Sequence, residues 1–168
     1  LTAALQWGTL PRVFSLPSED EKRDFLRSYT HTYMQEEIAQ EQVVRKFEPF
    51  RRFLFIAAQM NGQIINFSKI AREAGTTVPS VQSYFQILED TLVVMLLEPF
   101  HESIRKRQRG NPKFYFFDMG AQRALSQTLT VQLAPQTYAF GTAFEHFLIN
   151  EIHRLQSYAK KDYRLSYL

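Results

Sequence analysis

The sequence predicts a mainly α protein with a small β-hairpin, an α+β arrangement, on three observations. Apolar residues recur at helical spacing in several separate stretches. Two of these stretches are divided only by a turn at Gly75, Thr76 and Thr77. Two β-rich runs, LVVMLLEPF and KFYFF, flank a basic segment that contains Gly110 and Pro112.

The elements follow in order. WGTLPRVFSLP mixes Gly8, Pro11 and Pro17 with apolar residues and reads as an extended, packed segment. SEDE is a capping box, in which the Ser18 hydroxyl accepts from a first-turn amide and Glu21 reaches back, so a helix starts there. Phe25, Tyr29 and Tyr33, beside Leu26, Met34 and Ile38, give that helix one buried face as far as Gln40. In PFRRFLFIAAQMNG, Phe50, Phe53, Leu54, Ala57 and Met60 share a face and Asn61-Gly62 ends the helix. Ile64, Ile65 and Phe67 form a short extended link, and a helix capped by Ser68 buries Ile70, Ala71 and Ala74 before stopping at Gly75. Thr77 caps the next helix, whose first turn tolerates Pro79 and whose stripe is Val81, Tyr84, Phe85 and Leu88. Strands then follow over 92–100 and 113–117.

Three helices and a hairpin in that order make a winged helix-turn-helix over 47–118, preceded by a helical segment over 1–46. Beyond it, Asp118 caps a helix from Met119 to Leu125, and Ser126 to Tyr138 is polar and contains Pro135. GTAFEHFLINEIHRL then predicts a helix with Phe144, Phe147, Leu148, Ile152 and Leu155 on one apolar stripe, into which Glu151 falls. Arg164 to Leu168 begins a strand, so 119–168 reads as an incomplete α/β region.

Composition narrows the function classes. A chain of 168 residues with 45% hydrophobic and 22% charged residues buries roughly 68–70% of its unfolded surface and needs no staple. With 0 Cys there are no disulfides or thiolate metal sites. Of the four His, only His146 and His153 share a helix face, and a pair without a third ligand does not make a metal site. The longest apolar run, Leu92 to Leu97, is far short of the ~20 residues of a membrane span, and no signal-like segment opens the chain, so a soluble, cytoplasmic protein is expected. The chain starts at Leu1 and stops inside RLSYL, which reads as a piece of a longer protein.

Charge is distributed unevenly. Between His101 and Lys113, five cations (Arg105, Lys106, Arg107, Arg109, Lys113) face one anion, Glu102, an excess of four. The whole chain carries +3, which leaves −1 for everything else.

The run of segments WGTLPRVF, SYTHTYMQEEI, FEPFRRFLFIAAQMNGQIINFSKIAREAG, YFQILEDTLVV, KFYFFDMGAQRAL and GTAFEHFLINEI resembles the bacterial and archaeal ATPases whose C-terminal part is the DUF4143 domain. The resemblance implies a parent chain with an upstream AAA+ type P-loop ATPase using ATP and Mg, then the winged helix, then a PD-(D/E)xK nuclease-like region. The upstream ATPase domain would be a partner in the same parent. No GxxxxGK[ST] loop exists here, and the six glycines are isolated, so this chain holds no nucleotide cofactor and is expected to have no activity by itself. By the same resemblance Glu145 stands at the position of the helix carboxylate of the nuclease-like fold. Glu151 is a second carboxylate candidate, because a carboxylate on an apolar stripe is costly to bury. By the resemblance the strand Asp and E-x-K would fall beyond Leu168, so a further alternative is part of a metal-dependent nuclease completed by residues beyond 168, and both Glu residues also read as helix carboxylates at a domain seam.

For nucleic acid, the outward face of the second helix of the pair offers Ser80, Gln82 and Gln86, with no cation. The wing offers Arg105, Lys106, Arg107 and Arg109, and Arg51, Arg52, Lys69 and Arg72 add charge on the two preceding helices. Four phosphate contacts give a log-log salt slope of roughly −3.6. Nonspecific DNA contact is therefore expected. The alternative is a solvated hairpin tip on a protein-docking module.

Overall fold

The computed structural model describes residues 1–32, 47–102, 110–161 and 163–168, and it is α+β. The N-terminal segment departs from the extended reading: it forms two short helices, α1 (Thr2–Trp7) and α2 (Pro11–Ser15). Pro11 explains the second, since its fixed φ suits the first helical position, where no N–H is needed. Trp7 and Val13 pack with Leu26 and Leu129 in a small satellite core.

Helix α3 (Glu19–Ser28) opens on the expected capping box, with Glu21 N donating to Ser18 Oγ at 3.2 Å and Ser18 N donating to Glu21 Oε2 at 3.4 Å. A π-helical turn continues it over 29–32, and the remainder of the expected helix, including Tyr33, Met34 and Ile38, lies outside the described residues.

The main core is built by α4 (Phe47–Gln59), α5 (Phe67–Ala74) and α6 (Val78–Asp90). Phe50, Phe53, Leu54, Ala57, Met60, Ile70, Ala71, Ala74, Val81, Tyr84, Phe85 and Leu88 are all buried, so the helical periodicity identified the inward faces. Edge-on ring pairs hold the centre: Phe53 lies 5.0 Å from Phe85, which lies 4.9 Å from Phe114. The cap of α5 is Asn66 and not Ser68. Its side chain accepts from Lys69 N at 2.9 Å, and Phe67 is already helical. Gly75 ends α5 in the left-handed region at φ 67°, ψ 39°, and Thr77 caps α6 through Ser80 N.

Strands β1 (Val94–Pro99) and β2 (Lys113–Phe116) pair antiparallel, with Val94 opposite Phe116 and Leu97 opposite Lys113. Along β2 the side chains alternate: Phe114 and Phe116 enter the helical core, whereas Tyr115 meets His146 on the other side. After β2 come α7 (Met119–Leu125), capped by Asp118, and α8 (Tyr138–Tyr158). The expected terminal strand is short, β3 (Ser166–Tyr167), and lies parallel to β1 with Glu98 opposite Ser166, giving the order β2-β1-β3.

Helix α8 reverses the expectation drawn from its sequence. Most of its apolar stripe faces solvent: Phe144 is 37% exposed, Leu148 41%, Ile152 44% and Leu155 61%, with Phe147 half-buried. The buried positions are polar, His146 and Asn150. The reason lies in the free edge of β2, whose backbone groups have no strand partner there and must be satisfied by other means. Gly62 N donates to Phe114 O, and Ile65 N donates to Pro112 O at 2.9 Å. The Asn61 amide oxygen accepts from Phe116 N at 2.8 Å, and His146 and Asn150 serve Phe116 O. Helix α8 thus turns donors and not hydrocarbon toward the sheet.

Candidate nucleic-acid interface

The outward face of α6 carries no cation, as expected, and ends in the exposed carboxylate of Asp90. Ser80 is half-buried, and its hydroxyl lies 2.9 Å from that of Thr77 within the capped first turn. Gln82 is exposed, and its side chain makes no hydrogen bond among the described residues. Gln86 is exposed, but its amide donates to Asp90 Oδ1 at 2.9 Å, so contact with a base edge would first have to break that bond.

On the two preceding helices, Arg51, Arg52, Lys69 and Arg72 are exposed. Arg51 is paired with Glu48 at 3.2 Å, whereas Arg52, Lys69 and Arg72 have no ion pair among the described residues. Arg105, Lys106, Arg107 and Arg109 lie outside the described residues. The base of the hairpin that carries them is fixed, with the Tyr167 hydroxyl donating to Asn111 O at 2.6 Å and Arg164 pairing with Glu98 at 2.5 Å.

The two carboxylate candidates stand on α8 in separate settings. Glu145 accepts from the Tyr115 hydroxyl at 2.5 Å and lies 3.7 Å from Lys113 Nζ. Burial, then the bond to Glu145 and its negative charge, raise the Tyr115 phenol above the usual range, so it remains a donor. Glu151 is paired with Arg154 at 2.8 Å, and that arginine donates to Phe117 O at 3.0 Å. Glu145 therefore fastens α8 to β2, and Glu151 holds the arginine that fastens α8 to the continuation of β2. No group of three or more His, Cys, Asp or Glu able to hold a metal occurs among the described residues.

Between these two pairs lies a buried network that the sequence did not reveal. His146 Nε2 is 2.6 Å from Phe116 O and must donate to it, which leaves Nδ1 to accept from Asn61 Nδ2 at 3.2 Å. The Asn61 oxygen is already occupied by Phe116 N, which fixes the amide orientation. Asn150 Nδ2 donates to Phe116 O at 3.0 Å and to Phe117 O at 3.1 Å. Burial lowers the His146 pKa to about 4, against smaller raising effects of the Phe116 carbonyl, Asp118 and Glu145, so the ring is neutral. The signal in the sequence was the i, i+4 pair His146 and Asn150 opposite the apolar stripe, together with Asn61, which read only as a helix stop.

Residues 1–132 match the family described as "Domain of unknown function (DUF8612)". Two similar proteins, an uncharacterized protein of Mycobacterium bovis and one of Mycobacterium tuberculosis, are each 28% identical over 151 residues, covering 88% of this chain. The chain spans about a third (34%) of the length of these relatives. No solved structure matches. The resemblance to the DUF4143 ATPases is thereby corrected, and with it the inferred AAA+ parent. The segments that suggested it encode a core, a cap and a hairpin, such as the strand, capping Asp118 and closely packed Gly120 of KFYFFDMG, and these are demands of packing, not of one family. By its match over residues 1–132, the chain belongs to the DUF8612 family.

Proposed function

We propose that this chain is a winged-helix module that contacts nucleic acid nonspecifically through the phosphate backbone. Three helices, α4 to α6, followed by the β1–β2 hairpin are the elements of that arrangement in its order. The observation that carries the reading is a division of labour. The α6 face that holds Gln82 and Gln86 carries no cation and ends in the exposed carboxylate of Asp90, while Arg52 on α4 and Lys69 and Arg72 on α5 are exposed without ion pairs among the described residues. The hairpin connection adds a sequence excess of four positive charges. Cations without a base-reading set on the helix favour positioning on phosphates over sequence recognition.

Titration of the 168-residue chain with a random-sequence DNA duplex tests this. A log-log salt slope of roughly −3.6 is expected, and replacing Arg105, Lys106, Arg107 and Arg109 together by Ala should flatten it toward zero. Absence of binding at low salt, or binding unchanged in the fourfold variant, ends the proposal.

A second reading, a protein-docking module, is favoured by the solvent-facing apolar stripe of α8. It predicts concentration-dependent self-association in sedimentation experiments, weakened by Leu148→Gln, and a chain that stays monodisperse at high concentration counts against it.

A further inference from the structure

Among the described residues Arg123 is a buried, permanently charged side chain in a cavity wall, and nothing in the nucleic-acid reading uses it. The side chain is 5% exposed. Its Nη2 donates to Thr128 O at 2.6 Å and to Val131 O, Nε has no partner, and no carboxylate lies within ion-pair distance among the described residues. Its place in the last turn of α7 sets it near carbonyl ends that favour a cation, which offsets part of the cost of burial. Two carbonyls and a helix end are still not a counter-charge, and a buried guanidinium without one is costly.

Beside it is a cavity of about 300 Å³, walled by the end of α4, by α7 with the loop after it, and by the first turns of α8. That volume stands at the small end of ligand pockets. Among the described residues Arg123 is the charged side chain that lines it, because His146, which also lines it, is kept neutral by burial. Much of the rest of the wall is apolar, with Met119, Val131, Leu133 and Ala143.

We propose that this cavity binds a small organic carboxylate, its anionic end on the Arg123 guanidinium and its apolar body against Met119, Leu133 and Ala143. Nη2 is taken up by the two carbonyls and Nε is enclosed, so Nη1 is the arm left to donate a charge-assisted bond to a carboxylate, and the hydrocarbon wall selects against a fully hydrated inorganic anion.

Benzoate is a suitable probe, with inorganic phosphate and with chloride at matched ionic strength as the comparison arms. The ¹H–¹⁵N signal of Arg123 Nε should move saturably with benzoate, with a Kd on the order of 1 mM. Ala143→Phe fills the cavity while leaving Arg123 in place, and should weaken the response at least about tenfold. A benzoate response no larger than that of chloride overturns the proposal, as does one retained in Ala143→Phe. A saturable phosphate response in place of the benzoate one overturns the choice of a carboxylate. Arg123→Gln should abolish the benzoate response, and since this variant can also lose the clamp on Thr128 and Val131, the result from Ala143→Phe decides.

Discussion

Asp118 holds Thr9 across 109 positions of sequence: its Oδ2 accepts from Thr9 N at 2.6 Å and from Thr9 Oγ1 at 3.1 Å. Its other oxygen caps α7 by accepting from Ala121 N at 2.9 Å. One carboxylate, 1% exposed, therefore starts a helix and anchors the segment between α1 and α2 to it. Asp118→Ala removes a cap, worth about 1 kcal/mol, and leaves buried donors unpaired at about 1–3 kcal/mol. A loss of about 3 kcal/mol is expected in urea denaturation, with Asp118→Asn intermediate because its amide keeps only one acceptor.

Gly120 sits directly under the same joint. A Cβ there would stand 2.1 Å from Trp7 O, which is backbone and cannot yield without moving α1. Gly120→Ala should therefore cost more than about 3 kcal/mol. Gly141 offers the opposite case within α8, with nothing within 4 Å of its Cβ position. There Gly→Ala relieves a helix of its most flexible residue and should stabilise by about 0.5–1 kcal/mol. Melting curves of the two variants should move in opposite directions.

His146 makes stability depend on pH. Its pKa is lowered by burial to about 4 in the fold, against the ordinary imidazole value of 6.5. The unfolded chain therefore binds the proton more readily than the folded one. The neutral ring's contribution is complete above pH 6.5, falls as pH drops toward 4, and levels off below that. At pH 5 the loss amounts to about 2 kcal/mol, at about 1.4 kcal/mol per pH unit. The groups facing the ring from neighbouring elements are Asn61, the Phe116 carbonyl and Asp118, with Glu145 and Arg154 on its own helix. Denaturation midpoints at pH 7.5 and 5 should diverge in the native chain and converge in His146→Gln.

The contrast between what the sequence disclosed and what it concealed has a physical pattern. Phe53, Phe85 and Leu88 were legible because a helix packed on hydrocarbon writes its inward face as a 3.6-residue period. Asp118 was legible because a cap is a local device within four residues. His146, Asn150 and Asn61 were not, since their partners are backbone atoms of β2 and its continuation, a strand edge 30 to 55 residues away, and no periodicity encodes a need for donors there. Pro11 was read as an interruption because the same residue opens helices and breaks them, and only its position relative to the first turn separates the two.

The exposed stripe of α8 supplies the last test of this arrangement. If α8 is held by His146, Asn150 and Arg154 and not by its hydrocarbon, then shortening an apolar residue on the stripe removes little buried surface. Leu148 is 41% exposed, and Leu148→Ala should cost under about 1 kcal/mol. Leu54 is fully buried in the main core, and Leu54→Ala should cost about 2–5 kcal/mol through lost transfer energy and the cavity left behind. Equal losses in the two variants, measured by urea denaturation of the isolated chain, would show that Leu148 is covered in solution and that the stripe is not free. A small loss for Leu148→Ala joined to a large one for Asn150→Ala would place the attachment of α8 in its polar face, where the two carbonyls after Tyr115 draw it onto the sheet.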